Sequence, residues 1–426
     1  WRSTRLQTRR WIPIIFGLGG SSVNGCNDMA PDTPIKLAFL IEHLDPNRGG
    51  MERSAADYLT EIAALGVEAH VITQTSADVP AGVHVHALGM EGWTDELQYR
   101  NFVSRADHFV AGGRWDIVHA IRPCLRCDVY QPRGGLVRVG QERTVAARRG
   151  LVARLLKQAG QLFHGKDRLL IGLERRLLSG ANPPLVVVPS DYVGRQVERT
   201  YGLSGRSLRR VFNGVRVREP LAGNRRQIRL DYRRRLGIAA QERVAIFVGH
   251  NFRRKGLARV MDAMALSEGQ GWRLLVVGRG AIGYYQRYAQ QQGLADRVQF
   301  LGGRDDVAEL YWASDACLLP TYNDPCSRTV LEALSLGVPC VTTSFDGSSE
   351  CIRDGETGFV VESPDQVPMI ARALQQLGDD RVLGAMSAKA SDLASVLSMR
   401  RHARELFGLY HEIVARRAQA EALCPA

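Results

Sequence analysis

Strand-length apolar runs alternate with amphipathic helical segments along this chain, and the alternation occurs twice in succession. From Ile35 a strand over 36–41 passes through a polar loop, 45–50, into a helix over 52–65 that stops at Gly66. Strands over 69–73, 83–88, 116–121 and 185–189 continue the first run, and 211–215 closes it with a turn signal. The basic stretch 216–235 reads as a linker with a short helix. The pattern restarts at 244–248, with strands over 273–277, 298–301, 316–319 and 339–342. Helices near 256–267, 283–293, 305–313 and 327–336 separate them. Parallel strands need long crossovers, so this pattern specifies parallel sheets with helices on both faces. At 426 residues the chain exceeds one ordinary core, and two α/β domains facing each other across a cleft are expected. Ligands in such sheets bind outside the carboxyl ends of the strands.

The expected boundaries are an unstructured extension over 1–34, a first domain over 35–215 and a second over 216–396. A crossover helix and tail fill 397–426, the helix at 398–418 packing back on the first domain. The formal charge of +12 implies attraction to something anionic: nucleic acid, a membrane surface or a phosphorylated substrate. Aromatic residues interleaved for base stacking are sparse, which argues against nucleic acid. Eight cysteines show no disulfide-framework spacing, so a reduced, cytoplasmic chain is expected. Cys124 and Cys127 form one C-x-x-C without a second ligand pair at zinc spacing, and the histidines form no metal constellation.

Several strand-end loops carry chemistry. Asp324 lies in a Pro-containing loop after an apolar strand, and Glu332 lies eight positions on, inside the next helix. The start of that helix, Arg328-Thr329-Val330, offers N–H groups without helical partners, an anion-ready end. Phe252-Arg253-Arg254-Lys255-Gly256 follows the first strand of the second half after Gly249, and its cations fit a diphosphate clamp. Gly49-Gly50 permits close backbone approach to a ligand, or is simple turn geometry. Gly302-Gly303-Arg304 reads equally as a nucleobase contact or a turn. His119, at a strand end, is a cleft candidate. Basic residues dominate 133–176, eleven Lys or Arg against Glu142, Asp167 and Glu174. There Val152, Leu155, Leu156, Leu162 and Phe163 share a helical face among Arg148, Arg149, Arg154 and Lys157. This face meets either an anionic membrane surface or the core.

Taken together, the Gly49-Gly50 loop, Gly249 with Arg254-Lys255-Gly256, and Asp324 with Glu332-Ala333 resemble retaining glycosyltransferases of family 4. So do Gly337-Val338-Pro339-Cys340-Val341 and Gly355-Glu356-Thr357-Gly358-Phe359. Asp128-Val129-Tyr130 and Arg304-Asp305-Asp306-Val307 resemble most the lipopolysaccharide-core glucosyltransferase branch. The resemblance implies the GT-B fold of two Rossmann-like domains and a metal-independent hexosyltransferase. It implies no cofactor beyond a nucleotide-sugar co-substrate, usually a uridine one. Arg254 and Lys255 would neutralise the diphosphate, Glu332 would bind ribose, and Asp324 the transferred sugar. N–H groups near Arg328, Thr329 and Val330 would hold a phosphate, with Gly49, Gly50, Gly249 and Arg304 also at the donor. His119 and Asp128 are acceptor or cleft candidates. The implied acceptor is a lipopolysaccharide core or related envelope glycan, reached from the cytoplasmic face of the inner membrane through 133–176. One departure stands out: the family's first carboxylate is usually Glu, and Asp324 reaches about 1.5 Å less. A mannosyl or heptosyl transfer, or a catalytically silent scaffold bound to an anionic surface, are the alternatives.

Overall fold

The computed structural model describes residues 34–148, 150–162, 164–216, 224–267 and 271–423. The expected extension lies, up to residue 33, outside the described residues, as do Arg149 and Phe163. The first half begins β1 (Lys36–Leu40), β2 (His43–Leu44), α1 (Gly50–Ala64), β3 (Glu68–Thr73), β4 (Thr75–Ser76) and β5 (Val83–Ala87). It continues α2 (Asp95–Gly112), β6 (Ile117–Ala120), β7 (Val129–Tyr130), α3 (Val137–Ala146), α4 (Leu151–Leu162) and α5 (Gly165–Leu178). β8 (Leu185–Val188), α6 (Asp191–Tyr201) and β9 (Leu208–Arg210) complete it. The second half opens with α7 (Arg225–Arg235), β10 (Val244–Val248), α8 (Leu257–Leu266), β11 (Arg273–Val277) and α9 (Ile282–Gln291). Then come β12 (Val298–Gly302), α10 (Val307–Ala313), β13 (Ala316–Leu319), α11 (Arg328–Ser335), β14 (Cys340–Thr343) and β15 (Gly358–Val361). The chain closes with α12 (Val367–Leu377), α13 (Asp380–Ser391) and α14 (Met399–Leu423).

Two parallel sheets result. The first orders its strands β5-β3-β1-β6-β7-β8-β9 and the second β12-β11-β10-β13-β14-β15, with β2 and β4 forming a small separate ribbon. Both sheets are covered on both faces, which is why their central strands are apolar throughout rather than alternating. β1 shows the consequence: Leu37 and Phe39 enter one core with α1 and α14, while Ala38 and Leu40 enter another with α2, α5 and α6. The second half is built on one continuous core around Ile246, Phe247, Leu275, Leu318 and Val341.

The chain passes between the halves twice, and the passages lie side by side. Val215 N–H donates to the carbonyl of Leu397 at 2.8 Å, and Met399 N–H donates to that of Val215 at 2.9 Å. Beyond this crossing α14 packs back on the first half, where the hydroxyls of Tyr410 and Tyr58 on α1 lie 2.5 Å apart. The crossover helix expected at 398–418 therefore forms, and runs to Leu423.

Candidate active site

The loop between β10 and α8 is shaped by Gly256, whose φ of +82° suits glycine. A Cβ there would lie 2.0 Å from the Pro320 carbonyl oxygen, so the loop fits under the end of β13 only without a side chain. The Arg254 carbonyl is pinned to that end, accepting from Tyr322 N–H at 2.8 Å and Thr321 Oγ1 at 3.1 Å. This places the Lys255 ammonium in an ion pair with Asp324 Oδ2, both side chains about seven-eighths buried. Gly249 leaves room for the lysine stem, because a Cβ there would meet Lys255 Cγ at 3.2 Å. Arg254 Nε is buried and has no hydrogen-bond partner.

Asp324 is held from behind by the loop after β14. Its N–H donates to the Phe345 carbonyl, and its carbonyl accepts from Gly347 N–H, each at 2.9 Å. Buried Asp346 sits at the centre of this loop. Its carboxylate accepts from Ser327 N–H at 3.1 Å, Ser348 N–H at 2.9 Å, Ser348 Oγ at 2.6 Å and Thr342 Oγ1 at 3.0 Å. Burial, reinforced by the nearby Asp324 charge, pushes the Asp346 carboxyl up to about 6. Asp346 thereby organises the start of α11, where the Ser327 hydroxyl is buried without a hydrogen-bond partner. Thr329 Oγ1 donates to the Val248 carbonyl at 3.2 Å, tying α11 to the end of β10, and the Val330 side chain belongs to the core.

The opposite wall comes from α1, which starts at Gly50 immediately after Gly49. A Cβ on Gly50 would meet Arg328 Cδ at 3.6 Å, so the glycine loop and the start of α11 face one another. Two turns into α1, Asp57 Oδ2 lies 2.9 Å from Arg328 Nη1, and Arg328 Nη2 donates to Glu332 Oε1 at 3.0 Å. Burial pushes the Glu332 carboxyl up, opposed by Arg328. Glu332 is thus held by an arginine that also bridges to the first half.

The structure therefore brings Gly49, Gly50, Gly249, Arg254, Lys255, Asp324, Arg328, Thr329 and Glu332 to one cleft between the carboxyl ends of the two sheets. Three candidates are placed otherwise. His119 is fully buried in β6, its Nδ1 2.5 Å from the Tyr410 hydroxyl and its ring edge-on to Phe39. Burial, with the Arg133 charge nearby, holds its imidazole well below the usual range, so it serves the seat of α14 rather than lining the cleft. Asp128 precedes β7, at the sheet edge opposite the cleft. Its Oδ2 accepts from Val118 N–H at 2.7 Å and its Oδ1 pairs with Arg417, a clamp on α14. Arg304 follows β12 but pairs with Asp306, Nε to Oδ1 at 2.8 Å, and is 44% exposed.

Asp57 and Asp346 are the residues that sequence reading passes over. Asp57 follows Gly50 by seven positions, so two helical turns place it on the face that the glycine opens. Asp346 has only a polar turn after a strand to mark it. Among the described residues no group of three or more His, Cys, Asp or Glu is placed to hold a metal ion.

Two parallel α/β halves with a cationic loop, a carboxylate and a helix start converging between them define a glycosyltransferase of the GT-B class. A model of glycosyltransferase family 4 matches residues 48–219, and a model of glycosyl transferases group 1 matches 229–393. The chain belongs to glycosyltransferase family 4. It is 25% identical to the lipopolysaccharide glucosyltransferase WaaG of Escherichia coli K12 over 323 residues, 74% of this chain and 82% of the relative. The crystal structure of WaaG superposes with a TM-score of 0.71 at 23% identity, covering 87% of this chain and 98% of that one. A D-inositol 3-phosphate glycosyltransferase of Salinispora tropica is 28% identical over 425 residues, 90% of this chain and 86% of its own. Anabaena Alr3699/HepE in complex with UDP-glucose shares the fold, with a TM-score of 0.65 at 18% identity, covering 91% of this chain and all of that one.

Proposed function

We propose that this glycosyltransferase moves a hexose, with retention and without a metal, from a UDP-glucose-like donor to a lipopolysaccharide core or other envelope glycan. The observation that carries the reading is the Lys255–Asp324 pair beside Arg254, whose buried Nε lacks a partner. Cleaving a glycosyl–phosphate bond builds negative charge on the departing diphosphate. Arg254, Lys255 and the first-turn N–H groups of α11 are preorganised donors for that charge, each worth about 2.7–4 kcal/mol by analogy with oxyanion donors. Asp324 then has two roles: it holds the Lys255 ammonium in place and accepts from hydroxyls of the sugar. Glu332 reads ribose from α11, oriented by Arg328. The departing phosphate takes the acceptor proton on the same face, so no protein nucleophile enters. Resemblance to WaaG supports the choice of glucose and of a lipopolysaccharide acceptor, and HepE, bound to UDP-glucose, supports the nucleotide. The exposed apolar side of α4 supports a seat on the cytoplasmic face of an anionic membrane.

Release of UDP from UDP-glucose, compared with ADP- and GDP-glucose, tests the donor, and the anomeric configuration of the product by NMR tests retention. Lys255→Ala is expected to lower turnover by about 100- to 1000-fold, the effect of one lost charge-stabilising donor. Wild-type protein that releases nucleotide from none of these donors would leave the catalytic reading without support.

A further inference from the structure

Three guanidiniums line a cavity of about 170 Å³ between the turn that joins α3 to α4 and the second half, and they differ in how they are neutralised. Arg259 is satisfied: it pairs with Asp365, with Asp262 at 3.2 Å, and donates to the Tyr322 hydroxyl at 3.1 Å. Arg148 and Arg253 are not. Among the described residues neither has a carboxylate within ion-pair distance, and Arg148 Nε is buried without a hydrogen-bond partner. They are close enough that the Arg253 charge, after burial, helps hold the Arg148 guanidinium below its usual range. Arg253 is exposed and Arg148 half-buried, so solvent weakens their repulsion without removing it, and an anion between them turns that repulsion into attraction.

The setting narrows the ligand. Tyr284 and Tyr285 complete the wall, giving an aromatic flank beside the charges. The cavity has room for roughly six waters at about 30 Å³ each, enough for a phosphate group with part of its ester. Arg148 comes from the first half, while Arg253 is the residue before Arg254 in the donor loop. A group held by both spans the cleft next to the diphosphate without competing for Lys255 or the start of α11. Guanidinium forks match phosphate oxygens in pairs, which favours a phosphate over a carboxylate at such a two-arginine site.

We propose that Arg148 and Arg253 form a subsite for a phosphate ester on the acceptor, separate from the donor diphosphate. The proposal rests on the glycosyltransferase reading, and its test separates the two. Calorimetric titration of UDP into wild-type protein reports the donor site. Glycerol 3-phosphate titrated into the UDP-saturated protein then reports the subsite, and binding that survives saturation with UDP is expected. Arg148→Gln and Arg253→Gln are each expected to weaken it by about tenfold or more, the loss of one charge-assisted pair, with an unchanged melting temperature certifying the fold. A parallel arm uses phosphatidylcholine vesicles containing phosphatidic acid: arginine-dependent binding there but not with glycerol 3-phosphate assigns the phosphate to a lipid headgroup. Phosphate binding abolished by UDP, insensitive to both substitutions, or absent in both arms overturns the subsite. Absence of UDP binding counts against the donor reading instead, and the arginine dependence is then read on the protein alone.

Discussion

Asp346 shows how one residue behind a site sets its chemistry. Four donors converge on its carboxylate, yet burial and the Asp324 charge beside it favour the protonated form, up to about 6. The unfolded chain titrates such a group near 3.9. Between about pH 4 and 6 the folded state therefore binds the extra proton, so stability falls as pH rises through that window and levels off above it. Integrated, the loss is on the order of 2–3 kcal/mol for a shift of this size. Asparagine fits the same hydrogen bonds. Its carbonyl accepts from Ser327 and Ser348, and its amide donates to Thr342 Oγ1, leaving that hydroxyl to donate to the Leu319 carbonyl at 2.9 Å. Asp346→Asn is expected to be more stable than wild type at pH 7.5 by on the order of 1 kcal/mol, with the difference vanishing near pH 4.5. Urea unfolding at the two pH values checks this, and equal differences at both would show that Asp346 does not titrate there.

At the scale of elements, β10, β11 and β13 coincide with their sequence readings because an apolar run bounded by loop residues leaves one option for a buried parallel strand. β7 and β9, two and three residues long, are too short to carry a period, and they exist because neighbouring strands offer a ladder. The basic stretch 133–176 reads as one amphipathic segment but forms three helices, broken at Gly150 with φ +83° and again before Gly165. The site divides the same way. Lys255 and Asp324 leave neighbouring strand ends of one sheet, so topology alone makes them meet. The Asp57–Arg328 contact depends on how the two halves dock, which no local pattern encodes.

α4 also carries a consequence of its own. Val152, Leu155 and Leu156 are 71%, 64% and 70% exposed, so that part of its apolar face is not core. No helix among the described residues is long and apolar enough to cross a membrane. An uncovered aliphatic row beside Arg154 and Lys157 fits insertion at an anionic lipid surface. Leu155→Gln keeps the charge and removes about 1.5 kcal/mol or more of buried apolar side chain, which predicts roughly tenfold weaker cosedimentation with phosphatidylglycerol vesicles. Salt is expected to weaken the wild-type interaction further by screening its basic residues. Wild-type protein that stays in the supernatant at low salt would leave α4 without a membrane role.

For the whole molecule, the decisive place is the double crossing between the halves. The segment 212–215 is clasped by the chain around the start of α14: His402 Nδ1 lies 2.9 Å from the Phe212 carbonyl, Arg401 Nη2 donates to that of Asn213 at 2.8 Å, and Val215 is bonded on both sides. Gly214 sits within this clasp, and a Cβ there would lie 2.6 Å from the Ser398 carbonyl oxygen and 2.9 Å from Met399 Cα. Both obstacles are backbone, so an added methyl must move one passage relative to the other. The crossing fixes how the halves meet, so that shift is carried to the cleft, where Asp57 and Arg328 face each other across the domains. Gly214→Ala is expected to cost about 1–3 kcal/mol of stability, the usual cost of overpacking. A misplacement near 1 Å at the reacting groups is worth up to about 100-fold in rate, so kcat/KM is expected to fall more than stability accounts for. Gly408→Ala is the matched control: it lies within α14 with nothing within 4 Å of its added Cβ. Helix propensity alone predicts a gain of up to about 1 kcal/mol there with turnover unchanged. Denaturant titration and donor turnover on the two variants separate the effects, and a Gly214→Ala enzyme that is destabilised but turns over at the wild-type rate would show that the crossing holds the halves together without setting their alignment.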